Sequence, residues 1–209
     1  MTDSIIHLPE EIEQRSFEII TQELGNIVLD PQKAPIIKRV IHTTADFDYA
    51  RTLYFSEDAI ERGKQALLSG CTVITDTTMA QAGIKKGLLK QLGAQVHCYI
   101  ADEDVGEIAR QNQSTRAVAA VDKAAELKGP LIFAVGNAPT ALIRISQLIK
   151  EGKLSPALVI GAPVGFVNIL ESKDAIMDCQ VPMIISTGRK GGSNVAAAIL
   201  NALLLSCTR

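Results

Sequence analysis

LIFAVGNAPTA, residues 131 to 141, is five apolar residues, a turn of small residues and the start of a helix-like stretch. An apolar run this short and unbroken reads as a strand of a parallel sheet with helices on both faces. The same unit recurs about every 25 to 35 residues: TVIT from Thr72, VHCYI from Val96, ALVIG from Ala157 and MIIS from Met183, each with a helix-like segment behind it. That alternation predicts a three-layer α/β/α architecture around a five-stranded parallel sheet. The turns DTTMAQAG, ADEDVG, GNAPTA, GAPVGF and TGRKGGSN then gather at the carboxyl ends of the strands, where a crevice opens at the point of reversed strand order. Small residues there let backbone approach a ligand, and helix N-termini offer unpaired N–H groups. Any one such turn is also simply how a strand is joined to a helix. Five together predict an edge built for a large or polyanionic ligand.

Nucleotide signatures are missing from those turns. No GxGxxG follows a first strand, and GRKGGS has its lysine ahead of the glycine pair rather than completing GxxxxGKS. Upstream the rhythm is helical. Pro9 opens EEIEQRSFEIITQEL, with Ile12, Phe17, Ile19, Ile20 and Leu24 on one side and Gly25 at its end; a second helix is expected from Asp30-Pro31 through Asp46. Ser56 reads as the N-cap of a third, closed by Gly70. The first sixty residues therefore form N-terminal helices appended to the sheet, within one domain spanning residues 1–209.

Composition narrows the function classes. The 21 basic and 23 acidic residues leave a formal charge of −2, which gives no general footprint for a nucleic-acid backbone. Cys71, Cys98, Cys179 and Cys207 are scattered, with no CxxC and no histidine at ligand spacing, so neither disulfides nor a bound metal is expected. MTDSIIHLPEE lacks the basic flank and apolar core of a signal peptide, and no segment stays apolar long enough to span a bilayer. A cytoplasmic protein is the expectation.

Residues 38 to 48, KRVIHTTADFD, hold one of only three histidines. On a continuous helix Arg39, His42 and Asp46 project from one face, a cation and a carboxylate flanking an imidazole that can give and take a proton. A lone histidine on such a helix is more often a surface or packed residue. His7 falls in the N-terminal segment and His97 in an apolar strand, and both read as structural.

KRVIHTTADFD, TDTTMAQAGI, GNAPTALIR, GAPVGFVNILESKDAI and GRKGGSNVAAAILNAL together resemble the precorrin-8X methylmutase family of the cobalamin pathway, from about Ser16 to Leu204. The resemblance implies a flavodoxin-like fold, a homodimer, and an isomerisation that moves a methyl group between adjacent carbons at ring C of a corrin macrocycle. It places the family's catalytic histidine on His42 and its substrate-binding serine and arginine on Ser16 and Arg39. It implies no cofactor, since cobalt, where present, arrives with the substrate; the wording of residues 36–48 and 188–199 is similar to the cobalt-containing branch. By position, Arg116, Arg189 and Lys190 are further candidates for the substrate's carboxylates. The Ala-rich stretch SNVAAAILNALLL is compatible with a dimer interface. A non-catalytic tetrapyrrole carrier or sensor of the same fold is the main alternative, with a sugar-phosphate isomerase or a flavoprotein behind it.

Overall fold

The computed structural model describes residues 5–208. The helices α1 (Pro9–Glu23), α2 (Ala34–Thr44) and α3 (Tyr49–Thr52) precede a three-residue strand, β1 (Leu53–Phe55), and α4 (Ala59–Leu68). Then come β2 (Thr72–Thr75), α5 (Thr78–Gly83), α6 (Lys86–Gln91), β3 (Gln95–His97), α7 (Glu103–Gln111), α8 (Arg116–Ala125) and β4 (Leu131–Val135). The chain ends with α9 (Pro139–Lys150), β5 (Leu158–Gly161), α10 (Ile169–Met177), β6 (Met183–Ser186) and α11 (Ser193–Cys207).

All five expected strands are present, but the sheet has six, in the order β1-β6-β5-β4-β2-β3. β2 to β6 run parallel, whereas β1 lies antiparallel against β6, pairing Leu53 with Ser186 and Phe55 with Ile184. The sheet is thus mixed rather than purely parallel, and the N-terminal block is not a mere appendage. Two contacts weld β1 in place: Thr187 donates through its N–H and its hydroxyl to the Thr52 carbonyl, and the Met183 N–H donates to Ser56 Oγ. Ser56 is therefore a strand clasp; the cap position of α4 falls to Asp58.

Strand periodicity sorts the core into two layers. Ile132 and Ala134 of β4 pack with α2, α4 and α11, while Leu131, Phe133 and Val135 pack with α8, α9 and α10. β3, at the sheet edge, is only half-buried, and His97 stacks on Tyr99 there. α11 is buried from Val195 through Leu200 and again at Ala202 to Leu204, packed on α2, α4 and α5. Its small residues are used for close approach inside the monomer, as at Gly83, where an added Cβ would stand 3.1 Å from the Ala197 Cβ. Alanine richness in this helix consequently says nothing about a dimer. Among the described residues no helix is long and apolar enough to cross a membrane.

Candidate functional site

The crevice expected at the reversal of strand order is filled by the protein itself. β3 and β4 flank β2 on opposite sides, and Asp76, one residue past β2, is 7% exposed. Its carboxylate accepts from the N–H groups of Gly136 (2.8 Å), Asn137 (2.8 Å) and Ala138 (2.6 Å). In this turn the donors read from sequence as anion-ready are thus occupied by an internal carboxyl group. Burial pushes the Asp76 carboxyl up from its ordinary value, and the three N–H bonds oppose that shift. Beside it, Thr77 and Ser193 share a hydrogen bond of 2.7 Å, and a Cβ on Gly136 would run into the Ser193 backbone. This closes the strand ends and fixes where α11 begins.

The open site lies to one side, along α11. Ile36, Ile37, Val40 and Ile41 bury one face of α2, so Arg39, His42 and Thr43 face away from the core. They line a cavity of about 250 Å³ together with Gly83, Lys85, Asn194, Ala197 and Asn201. A second cavity of about 620 Å³ continues past Arg39 and Lys85 to Glu13 and Phe17 of α1 and Leu205 of α11. Phe17 organises the junction: the His42 ring stacks on it at 5.5 Å and 21°, and the Arg39 guanidinium lies 4.8 Å from its centroid. Arg39 Nη2 donates to Glu13 Oε1 at 2.6 Å, and that bond, more than any other influence, holds the Glu13 carboxyl below its ordinary value. Ser16 shares the α1 face of Glu13 and Phe17 by helical spacing, its hydroxyl donating to the Ile12 carbonyl. Arg39 and His42 therefore share one cavity, while Ser16 lines neither cavity and is tied to the site only through its α1 neighbours Glu13 and Phe17.

The expected row of Arg39, His42 and Asp46 is broken. α2 ends at Thr44, Ala45 turns left-handed at φ 53°, and Asp46 leaves the helix. Its carboxylate accepts from Lys190 Nζ at 2.6 Å and from the Asp48 N–H at 3.0 Å, with no hydrogen bond to His42 among the described residues. Lys190 bridges Asp46 and Asp48, each at 2.6 Å, and the pair raises the lysine above its ordinary value. Lys190 ties the 188–192 loop to the end of α2. Arg189, in the same loop, is exposed. Arg116 sits across the sheet at the start of α8, donating to the Ile100 carbonyl at 3.2 Å. Among the described residues no group of three or more His, Cys, Asp or Glu is placed to hold a metal.

Sequence reasoning missed three contributors. Phe17 reads as one apolar residue of a stripe, and neither Glu13 nor Lys173 is singled out by any sequence signal. Lys173 is 2% exposed, and its Nζ donates to the carbonyls of Gly188 (2.7 Å) and Lys190 (2.9 Å). Desolvation pushes it down from 10.5 to about 8. Between those values the unfolded chain holds this proton and the folded chain has lost it, so the Lys173 contribution to stability rises with pH across that window. Denaturant midpoints from pH 7.5 to 10 are expected to rise in the wild type relative to Lys173→Met; parallel curves would show that the lysine titrates normally. The same loop packs too closely for side chains, since a Cβ on Gly191 would overlap the Ala162 carbonyl.

The family model described as precorrin-8X methylmutase matches residues 11–206. A cobalt-precorrin-8 methylmutase of Salmonella typhimurium is 47% identical, covering 95% of this chain and 96% of that one. One from Priestia megaterium is 46% identical, over 93% of this chain and 87% of its own length. A crystal structure of a precorrin-8X methylmutase from Thermus thermophilus superposes with a TM-score of 0.87 at 42% identity, covering 95% and 96% of the two chains.

Proposed function

The chain belongs to the precorrin-8X methylmutase family, isomerases of cobalamin biosynthesis, and we propose that His42 carries its chemistry in the cavity between α2, α11 and α1. The observation behind this is the exposed imidazole at the end of α2, held against Phe17 beside an arginine and facing a cavity. A methyl shift breaks one carbon–carbon bond and forms another on the neighbouring ring carbon. The protein must hold the macrocycle in reactive geometry and move a proton where the tautomer changes. One imidazole can do the second, while Ser16, Arg39 and the walls of α11 do the first. Arg39 keeps donors free beyond the one given to Glu13 and can pair with an acetate or propionate arm.

The substrate in this reading is cobalt-precorrin-8, with cobalt carried in by the substrate and no resident cofactor. The enzyme is a cytoplasmic homodimer. Both nearby relatives described above are named for the cobalt-containing substrate. Apolar surface is available for a second copy: Val28 is 95% exposed, and Ile12 and Ile19 of α1 lie in the open rather than on the buried side expected for them. Light scattering at micromolar concentration is expected to give about twice 22.4 kDa; a monomer would remove the dimer.

The decisive assay is turnover of cobalt-loaded and metal-free precorrin-8 in excess over protein. Many turnovers support an enzyme. Stoichiometric binding with no conversion would support the carrier reading instead.

A further inference from the structure

Arg39 and Lys85 are the two basic residues that line both cavities, and so form the ridge between them. Arg39 is paired with Glu13 and Lys38 donates to Thr21 Oγ1 at 2.9 Å. Lys85 Nζ, by contrast, has no hydrogen-bond or ion-pair partner among the described residues. The backbone beneath it is nonetheless fixed. Asn201 of α11 accepts from the Lys85 N–H at 2.9 Å and donates to the Gly83 carbonyl at 2.8 Å, and Ile84 between them is buried. A rigid base thus carries an unpaired ammonium to the cavity mouth. Its field reaches the Arg39–Glu13 pair, where it adds to the lowering of the Glu13 carboxyl. Of the charged residues lining the larger cavity, Glu10 and Glu13 are outnumbered by Lys38, Arg39 and Lys85, leaving an excess positive charge that an anion would neutralise.

We propose that Lys85 is a substrate-binding residue, which with Arg39 receives one peripheral carboxylate of the tetrapyrrole at the ridge between the two cavities. The inference rests on the proposed function and adds to it a residue and a place for one acidic arm. Arg39 supplies fixed, forked donors, whereas Lys85 supplies a compact charge on a flexible stem that can follow the arm as the ring shifts.

The test compares the wild type, Lys85→Gln and Lys85→Arg in absorbance titrations with cobyrinate and in steady-state turnover. Lys85→Gln is expected to raise Kd and KM about tenfold, the scale of one charge-assisted contact, with the effect falling on KM rather than kcat. Lys85→Arg should keep most of the affinity, and the gap between wild type and Lys85→Gln should narrow as salt is added. Three results overturn the proposal: wild-type affinity in Lys85→Gln, a loss in kcat with Kd unchanged, or an equal loss in Lys85→Arg, which would implicate the loop and not the charge. A wild type that neither binds nor converts a tetrapyrrole removes the proposed function itself. A wild type that does both, matched by Lys85→Gln, removes only Lys85.

Discussion

His42→Asn is expected to lower the single-turnover rate by roughly 100-fold or more, the scale of general acid–base catalysis, while corrinoid binding survives. The geometry favours that separation. Arg39 is anchored by Glu13 and Phe17, Ser16 belongs to α1, and neither depends on the imidazole for its position. What Asn forfeits is one internal ring stack with Phe17, a contact within the protein and not with the substrate. A proton-transfer role and an anchoring role therefore predict opposite patterns. With saturating enzyme the observed rate contains no binding term, so loss of rate with Kd retained identifies the acid–base group. Loss of affinity with the rate retained would make His42 an anchor, and full single-turnover activity would leave enforced geometry as the only source of catalysis. The same experiment on Asp46→Asn is expected to show little effect on the bound-state rate, because that carboxylate is held by Lys190 and not by the imidazole.

The layered architecture was readable because LIFAV, LVIG, TVIT and MIIS are buried on both faces, and continuous apolar runs of strand length have few other uses. β1 escaped because three residues between two helices carry no period, and it exists through its partner β6. Local reading also continued α2 through Asp46, since nothing in HTTADFD forces a stop; Ala45 goes left-handed where glycine would be the usual signal. That one residue moved Asp46 from the histidine to Lys190. Helical spacing already picked out Arg39 and His42, whereas Ser16 could be named only through a family resemblance. That Phe17, Glu13 and Lys85 lie beside Arg39 and His42 depends on how α1, α2, α11 and the link between α5 and α6 pack, which spacing along one helix cannot reveal. The filled crevice has the same origin: nothing local shows that Asp76 reaches turn residues sixty positions away.

Asp76 is where the second large effect is expected. Asp76→Ala leaves the N–H groups of Gly136, Asn137 and Ala138 without their acceptor at a buried site, and should destabilise the protein by several kcal/mol, since each unsatisfied buried donor costs about 1–3 kcal/mol. Asp76→Asn tests the cause. Its shape is nearly unchanged, but one carboxylate oxygen becomes an NH2 group, and in the wild type Oδ1 faces the Gly136 donor while Oδ2 faces the other two. Whichever way the amide is turned, a donor meets a donor, so the amide should recover little of what alanine loses. Urea midpoints at neutral pH measure both variants, and an Asn variant as stable as wild type would show that the turn is held by packing and not by the three bonds. The consequence should reach the site, because Gly136 lies against Ser193 and the next residue of α11, Asn194, lines the His42 cavity. A loosened turn frees the start of α11, and with it the wall against which the macrocycle is held. Folded Asp76→Asn should therefore lose affinity for corrinoid even at temperatures where it is fully native by circular dichroism. Unchanged affinity there would confine Asp76 to stability alone.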